Sequence, residues 1–161
     1  MECMDMLLKQ IHKKLIRTRG TVAAAESCTG GMLSAALTSL SGSSAYFLLG
    51  TVVYSNGSKS RVLGIRPRVI ADNGAVSDTV CRAMAQSVRQ LARSGFGLGI
   101  TGIAGPSGAV PGKPVGTVFI GISAGKRTVC RRFLFKGGRA SVRRQSCEQA
   151  LRMLAGALKI R

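Results

Sequence analysis

Two nucleophiles, Ser27 and Cys28, stand side by side in AESCTGG at residues 25–31, followed at once by a threonine and two glycines. The stretch lies between an apolar run, residues 21–25, and a segment of helical spacing that begins near Met32. At such a strand-to-helix corner a serine or cysteine is presented on a sharp turn, where backbone N–H groups can receive a carbonyl oxygen as it turns negative. A nucleophile needs a base, and the choices are few. His12 is the only histidine and sits among lysines in KQIHKK, the pattern of a solvated helix face, which disposes of a Ser-His-Asp triad and of histidine-based metal sites. The six carboxylates, Glu2, Asp5, Glu26, Asp72, Asp78 and Glu148, show no spacing that pairs two across a substrate or holds a magnesium ion. A lysine base remains. Lys59, in YSNGSK, is the first charged residue after the uncharged residues 27–58, and Lys113, in GKP, is the alternative. A lysine acts as a base only when neutral, which requires burial or nearby positive charge to lower a pKa of about 10.4.

Elements must carry these residues to one place. Residues 4–17 are expected to form a helix, with Met4, Leu7, Leu8, Ile11 and Leu15 on one face. Strands are expected at 21–25, 46–54 and 96–101, and helices at 32–40 and at 77–93, the latter capped by Ser77 with Val80, Met84, Val88 and Leu91 facing inward. Ser55-Asn56-Gly57 reads as a break that leaves Lys59 in a loop. Residues 115–123 and 128–135 read as an antiparallel hairpin turning at Gly125-Lys126, and a last helix follows Gly137-Gly138 with Cys147, Ala150, Leu151, Leu154 and Leu158 as its core stripe. The expectation is one α/β domain over residues 1–161, a three-layer α/β/α arrangement around a mixed sheet. A second glycine-rich loop, TGIAGPSG at 101–108, follows the 96–101 strand. In open α/β sheets ligands gather at the carboxyl ends of strands, and both glycine-rich loops would lie there.

Composition narrows the partners. A net charge of +18, from 24 Lys and Arg against six Asp and Glu, draws anions and favours phosphate-bearing ligands, small or large. Aromatic residues make up only 4% and tryptophan is absent, so base stacking would be thin and nucleic-acid binding weak and non-specific. Residues 1–19 carry acidic residues and lack a continuous apolar core, so no secretory signal is expected, and residues 27–58 are interrupted too often by Gly, Ser, Thr and Asn to span a bilayer. A cytoplasmic protein without membrane association follows as the expectation. The five cysteines form no C-x-x-C pair, so reduced structural thiols are expected rather than a disulfide framework or a zinc site.

Seven motifs in order, AESCTGG at 25–31, GSS at 42–44, VVYSN-x-x-K at 52–59, GAVS at 74–77, TGIAGPSG at 101–108, KPVGTV at 113–118 and GR-x-x-VRRQ at 138–145, resemble the CinA C-terminal domain family across nearly the whole chain. The family includes stand-alone amidohydrolases that convert nicotinamide mononucleotide to nicotinate mononucleotide and ammonia, in pyridine nucleotide salvage. The resemblance implies Ser27 as nucleophile, Lys59 as base, and Tyr54 as a residue that orients the site or relays the proton. It implies that Thr29, Gly30 and Gly31 line the corner, that Asn56 fixes the lysine loop, that Thr101, Gly102 and Gly105 shape the second wall, and that Arg139 and Arg143 suit a substrate phosphate. No metal and no cofactor are implied, the partner is a small nucleotide substrate, and a homo-oligomer, a dimer, is expected. The chain departs from the family pattern at Gly138, before Arg139, and at Gly57-Ser58, before Lys59. A basic nucleic-acid-binding module and a nucleotide-binding module without catalysis are the competing functions.

Overall fold

Five consecutive buried residues, VAAAE, form an interior strand of the sheet, and their lack of alternation is what a strand covered on both faces requires. The computed structural model describes residues 2–160, with side chains from Met4 onward; the Cys3 thiol, one of the five cysteines expected to be structural, lies outside the described residues. The elements are α1 (Glu2–Thr18), β1 (Val22–Glu26), α2 (Met32–Leu37), β2 (Phe47–Val52), α3 (Asn56–Leu63), α4 (Pro67–Asn73), α5 (Asp78–Ala92), β3 (Phe96–Gly102), β4 (Thr117–Ala124), β5 (Arg127–Leu134) and α6 (Arg139–Ala157). The sheet order is β2-β1-β3-β4-β5. β2, β1 and β3 run parallel, whereas β4 and β5 turn back as an antiparallel hairpin.

The two faces of β1 feed separate cores. Val22 and Ala24 join Leu8, Ile11 and Leu15 of α1, Leu33 and Leu37 of α2, and Leu151 and Leu154 of α6. Ala23 and Ala25 join Leu63 of α3, Ile70 of α4, and Val80, Met84 and Val88 of α5. The result is the three-layer α/β/α arrangement with a mixed sheet. α5 lies so close to the sheet that a side chain at Gly97 or Gly99 of β3 has no room. A Cβ at Gly99 would stand 2.7 Å from the Cys81 carbonyl, and one at Gly97 would collide with the Ala85 carbonyl.

Three parallel strands end on one rim, and the antiparallel return of β5 starts α6 there too. The segments after β1, β2 and β3 and the first turn of α6 therefore converge. Two elements differ from expectation. Ser55-Asn56-Gly57 does not break the chain into a loop: Ser55 caps α3, its hydroxyl accepting from Ser58 N at 3.0 Å while Ser58 Oγ accepts from Ser55 N at 3.1 Å. Pro67 then opens α4, where its fixed φ and missing N–H cost nothing. Leu91, expected inside, is 57% exposed near the end of α5. His12 is half-buried rather than solvated, its ring edge-on to Tyr46 at 5.5 Å. No helix among the described residues is long and apolar enough to cross a membrane.

Candidate active site

The corner after β1 is built by Glu26. Its fully buried carboxylate accepts hydrogen bonds from the N–H groups of Gly31 (3.1 Å), Leu33 (3.0 Å) and Ser34 (2.8 Å) and from Ser34 Oγ (2.6 Å). A carboxylate so placed meets the positive end of α2 and satisfies donors that the helix leaves open. The chain reaches back to it through Gly30 and Gly31, at φ +59° and +94°, a left-handed path that glycine takes without strain. Ser27 holds the sheet direction for one further residue, its N–H donating to Ile100 O at 3.0 Å. The backbone N–H groups of Cys28 and Thr29 find no main-chain acceptor in this turn.

Lys59 comes from the first turn of α3. It is 1% exposed, and its Nζ lies 2.9 Å from Val53 O, 3.3 Å from Tyr54 O and 3.2 Å from Ser27 Oγ. Two carbonyl oxygens take two N–H groups of a neutral amine, leaving its lone pair for the Ser27 hydroxyl proton. No carboxylate pairs with it among the described residues. Burial holds the Lys59 amine below the ordinary lysine range. A negative charge on Cys28 would oppose that shift, but burial pushes the Cys28 thiol up to about 11, so it is a neutral thiol at physiological pH. Of the two adjacent nucleophile candidates, Ser27 touches the lysine and Cys28 remains protonated.

These residues open onto a cleft of about 180 Å³ lined by Ser27, Cys28, Tyr54, Asn56, Lys59, Ala75, Val76, Thr101, Gly102, Ala104 and Arg139. Larger hollows of about 310 and 460 Å³ lie elsewhere on the surface, but neither is lined by a serine or cysteine beside a lysine. Thr101 ties the second wall to the first turn before α5, its hydroxyl donating to Ala75 O at 2.8 Å. Arg139 spans the mouth, donating to Gly105 O and to the Tyr54 hydroxyl, both at 2.9 Å. The Tyr54 side chain is 58% exposed, and the residue meets Lys59 through its carbonyl oxygen.

Other expected residues stand one step back. Arg143 does not line the cleft; it donates to Thr29 O at 2.8 Å and so grips the turn behind Ser27. Thr29, Gly30 and Gly31 form that turn, and Gly105 supports the mouth through its carbonyl. Asn56, by contrast, lines the cleft, but as the first residue of α3 and not in a loop, and the Ser55–Ser58 cap orients the helix that carries Lys59. Lys113 Nζ lies near Gly74, 3.6 Å from where a Cβ would stand, and does not reach the cleft. Ala75 and Val76 were signalled only by the GAVS motif, and the Val53 carbonyl by nothing in the sequence.

A mixed sheet whose parallel strands end on a buried serine–lysine pair defines an α/β domain whose candidate site is lined by no histidine. Residues 4–158 match the CinA C-terminal domain model, and the chain belongs to that family. It is 49% identical over 148 residues to a CinA-like protein of Geobacter sp. (strain M21), covering 91% of this chain and 36% of that protein. It is 47% identical over 155 residues to a CinA-like protein of Anaeromyxobacter dehalogenans (strain 2CP-C), covering 96% and 38%. The chain thus spans little more than a third of the length of these relatives. Among solved structures, the CinA superfamily protein of Klebsiella pneumoniae 700603 superposes with a TM-score of 0.93 at 31% identity, covering 97% of this chain and 98% of that one. A competence/damage inducible protein of Agrobacterium tumefaciens gives 0.92 at 34% identity, covering 97% and 95%.

Proposed function

We propose that the protein is an amidohydrolase that converts nicotinamide mononucleotide and water to nicotinate mononucleotide and ammonia. The observation that carries this reading is the 3.2 Å approach of Ser27 Oγ to a buried Lys59 whose other partners are two carbonyl oxygens. Neutral Lys59 takes the Ser27 proton as Oγ attacks the carboxamide carbon. The N–H groups of Cys28 and Thr29, which no main-chain carbonyl takes up, are the donors offered to the developing oxyanion. The lysine ammonium returns its proton to the amide nitrogen, the C–N bond breaks and ammonia leaves. Lys59 then deprotonates a water that hydrolyses the Ser27 ester. The exposed Arg139 guanidinium at the mouth suits the substrate phosphate, and the small Ala75, Val76, Gly102 and Ala104 leave room for a flat ring. The choice of substrate rests on the motif resemblance.

Ammonia release from nicotinamide mononucleotide, measured beside nicotinamide and NAD, tests it. The mononucleotide is the preferred substrate, and Ser27→Ala loses about 10³-fold or more while remaining folded. Equal turnover by Ser27→Ala, or loss of turnover in Cys28→Ala alone, would overturn the mechanism.

A further inference from the structure

Gly57 is one of the positions at which the chain departs from the pattern of its family, and the missing side chain makes room for a cation. Arg61, one helical turn further along α3, folds back over it: a Cβ at residue 57 would stand 3.1 Å from one terminal nitrogen of the guanidinium and 3.4 Å from the other. Arg61 is exposed and has no hydrogen-bond or ion-pair partner among the described residues. It lines a hollow of about 400 Å³ between α3 and α4, together with Asn56, Ser60 and the apolar Pro67 and Ile70. Asn56 also lines the cleft that holds Ser27 and Lys59, so the two spaces adjoin. Neither lining includes a carboxylate.

The cleft alone, at about 180 Å³, is smaller than the ~300 Å³ or more of sites that enclose an organic ligand of ordinary size. A flat ring fits in it, and a ribose and a phosphate have to lie outside. We infer that the ribose phosphate of the substrate extends past Asn56 into the α3–α4 hollow, and that Arg61 is a second cation for its phosphate, in addition to Arg139 at the mouth. The inference rests on the nucleotide amidohydrolase reading and adds to it a residue that selects a phosphorylated substrate. A phosphate monoester carries roughly −1.5 to −2 charge at neutral pH, more than one guanidinium balances. Arg139 already donates to Gly105 O and to the Tyr54 hydroxyl, whereas the donors of Arg61 are open to a bidentate contact. Exposed arginines are common on a chain of net charge +18, but Arg61 is the cation that lines the space next to the cleft.

Steady-state kinetics with nicotinamide mononucleotide and with the nucleoside that lacks its phosphate test this on the full chain, beside calorimetric binding of ribose 5-phosphate, which needs no turnover. Arg61→Met melts like the wild type, raises KM for the mononucleotide ~10-fold or more with little change in kcat, and weakens ribose 5-phosphate binding by a similar factor. Its kcat/KM for the nucleoside is unaltered. Arg61→Lys restores part of the affinity. Gly57→Glu, which sets a carboxylate one turn before Arg61 to pair with it, acts in the same direction as Arg61→Met. Arg131→Met on β5, outside both spaces, removes the same charge and changes neither quantity. Unchanged KM and ribose 5-phosphate binding in Arg61→Met, an equal loss on the nucleoside, or an equal loss in Arg131→Met would each overturn the proposal. A wild type that releases no ammonia would overturn the amidohydrolase reading, and ribose 5-phosphate binding that is absent, or that Arg61→Met leaves intact, would then still overturn the role of Arg61.

Discussion

Lys59 is surrounded as few lysines are, 1% exposed and with only carbonyl and hydroxyl oxygens for company. Because burial lowers its pKa, the neutral amine is populated at lower pH than in an ordinary lysine, and activity rises with pH as that amine loses its proton. Lys59→Arg keeps the charge but supplies no base, so its rate falls about as far as that of Lys59→Ala, and pH–rate profiles of both lose the rising limb. The same shift has a sign for stability. Between the lowered folded pKa and the ordinary value the unfolded chain holds more protons, so the penalty of burying Lys59 is greatest at low pH and fades as pH rises toward the ordinary lysine range. Lys59→Met therefore gains most in melting temperature, relative to the wild type, at acidic to neutral pH, and the advantage narrows in alkaline buffer. A serine or cysteine nucleophile with a lysine base was legible in the sequence by elimination, since the one histidine lies among lysines and the carboxylates show no paired spacing, and the motif resemblance then singled out Ser27 and Lys59. The contact of Arg143 with the Thr29 carbonyl was not legible, because a side chain that grips a main-chain carbonyl looks the same in sequence as one that waits for a phosphate.

At the scale of elements, the site depends on how two helices begin. Glu26 joins the end of β1 to the first turn of α2 with four accepted hydrogen bonds, and Ser27 is its neighbour. Glu26→Ala leaves buried donors without acceptors, and the expected loss is about 2 kcal/mol or more, read from denaturant melts, together with a fall in turnover as Ser27 loses its support. A Glu26→Ala protein of wild-type stability and rate would show that the turn holds without it. The α5, β3 and α6 segments were readable because their apolar residues recur at regular intervals. α3 and α4 were not: with eight and seven residues they are too short for a periodic stripe. Their starts rest on local chemistry, a serine box using Ser58 where Glu or Gln is usual and a proline at the first position, which resembles a break when read alone.

Across the whole molecule, most of the charge lies away from the candidate site, whose lining holds only Lys59 and Arg139 as basic residues. Three ion pairs among the described residues, Arg68–Asp72, Arg82–Asp78 and Arg152–Glu148, all join neighbours one helical turn apart on the surface, and the uncharged residues 27–58 supply Ser27 and the β2 edge. We propose that the positive field serves capture of anionic substrates more than recognition of a nucleic acid. Binding to DNA or RNA is accordingly weak, indifferent to sequence and steeply reduced by salt, which fluorescence anisotropy at two ionic strengths would register. A tight complex at physiological salt would instead give nucleic acid the leading role. The layered fold was visible from the alternation of helices and strands, and the convergence of loops on one rim followed from the parallel strands. The motif resemblance singled out Arg139 and Arg143 among the many arginines, and only the folded chain shows that Arg139 lines the cleft whereas Arg143 contacts the Thr29 carbonyl.

The two carbonyl oxygens that hold Lys59 belong to the main chain at Val53 and Tyr54. No codon change at either position deletes a carbonyl. The lysine's cradle is therefore hidden from side-chain genetics: a saturation library scored for activity would mark Ser27 and Lys59 in full, yet at 53 and 54 would report only packing and the contact with Arg139. Replacing the amide that follows either carbonyl with an ester, which weakens the oxygen as an acceptor without altering any side chain, is the kind of edit that can reach it.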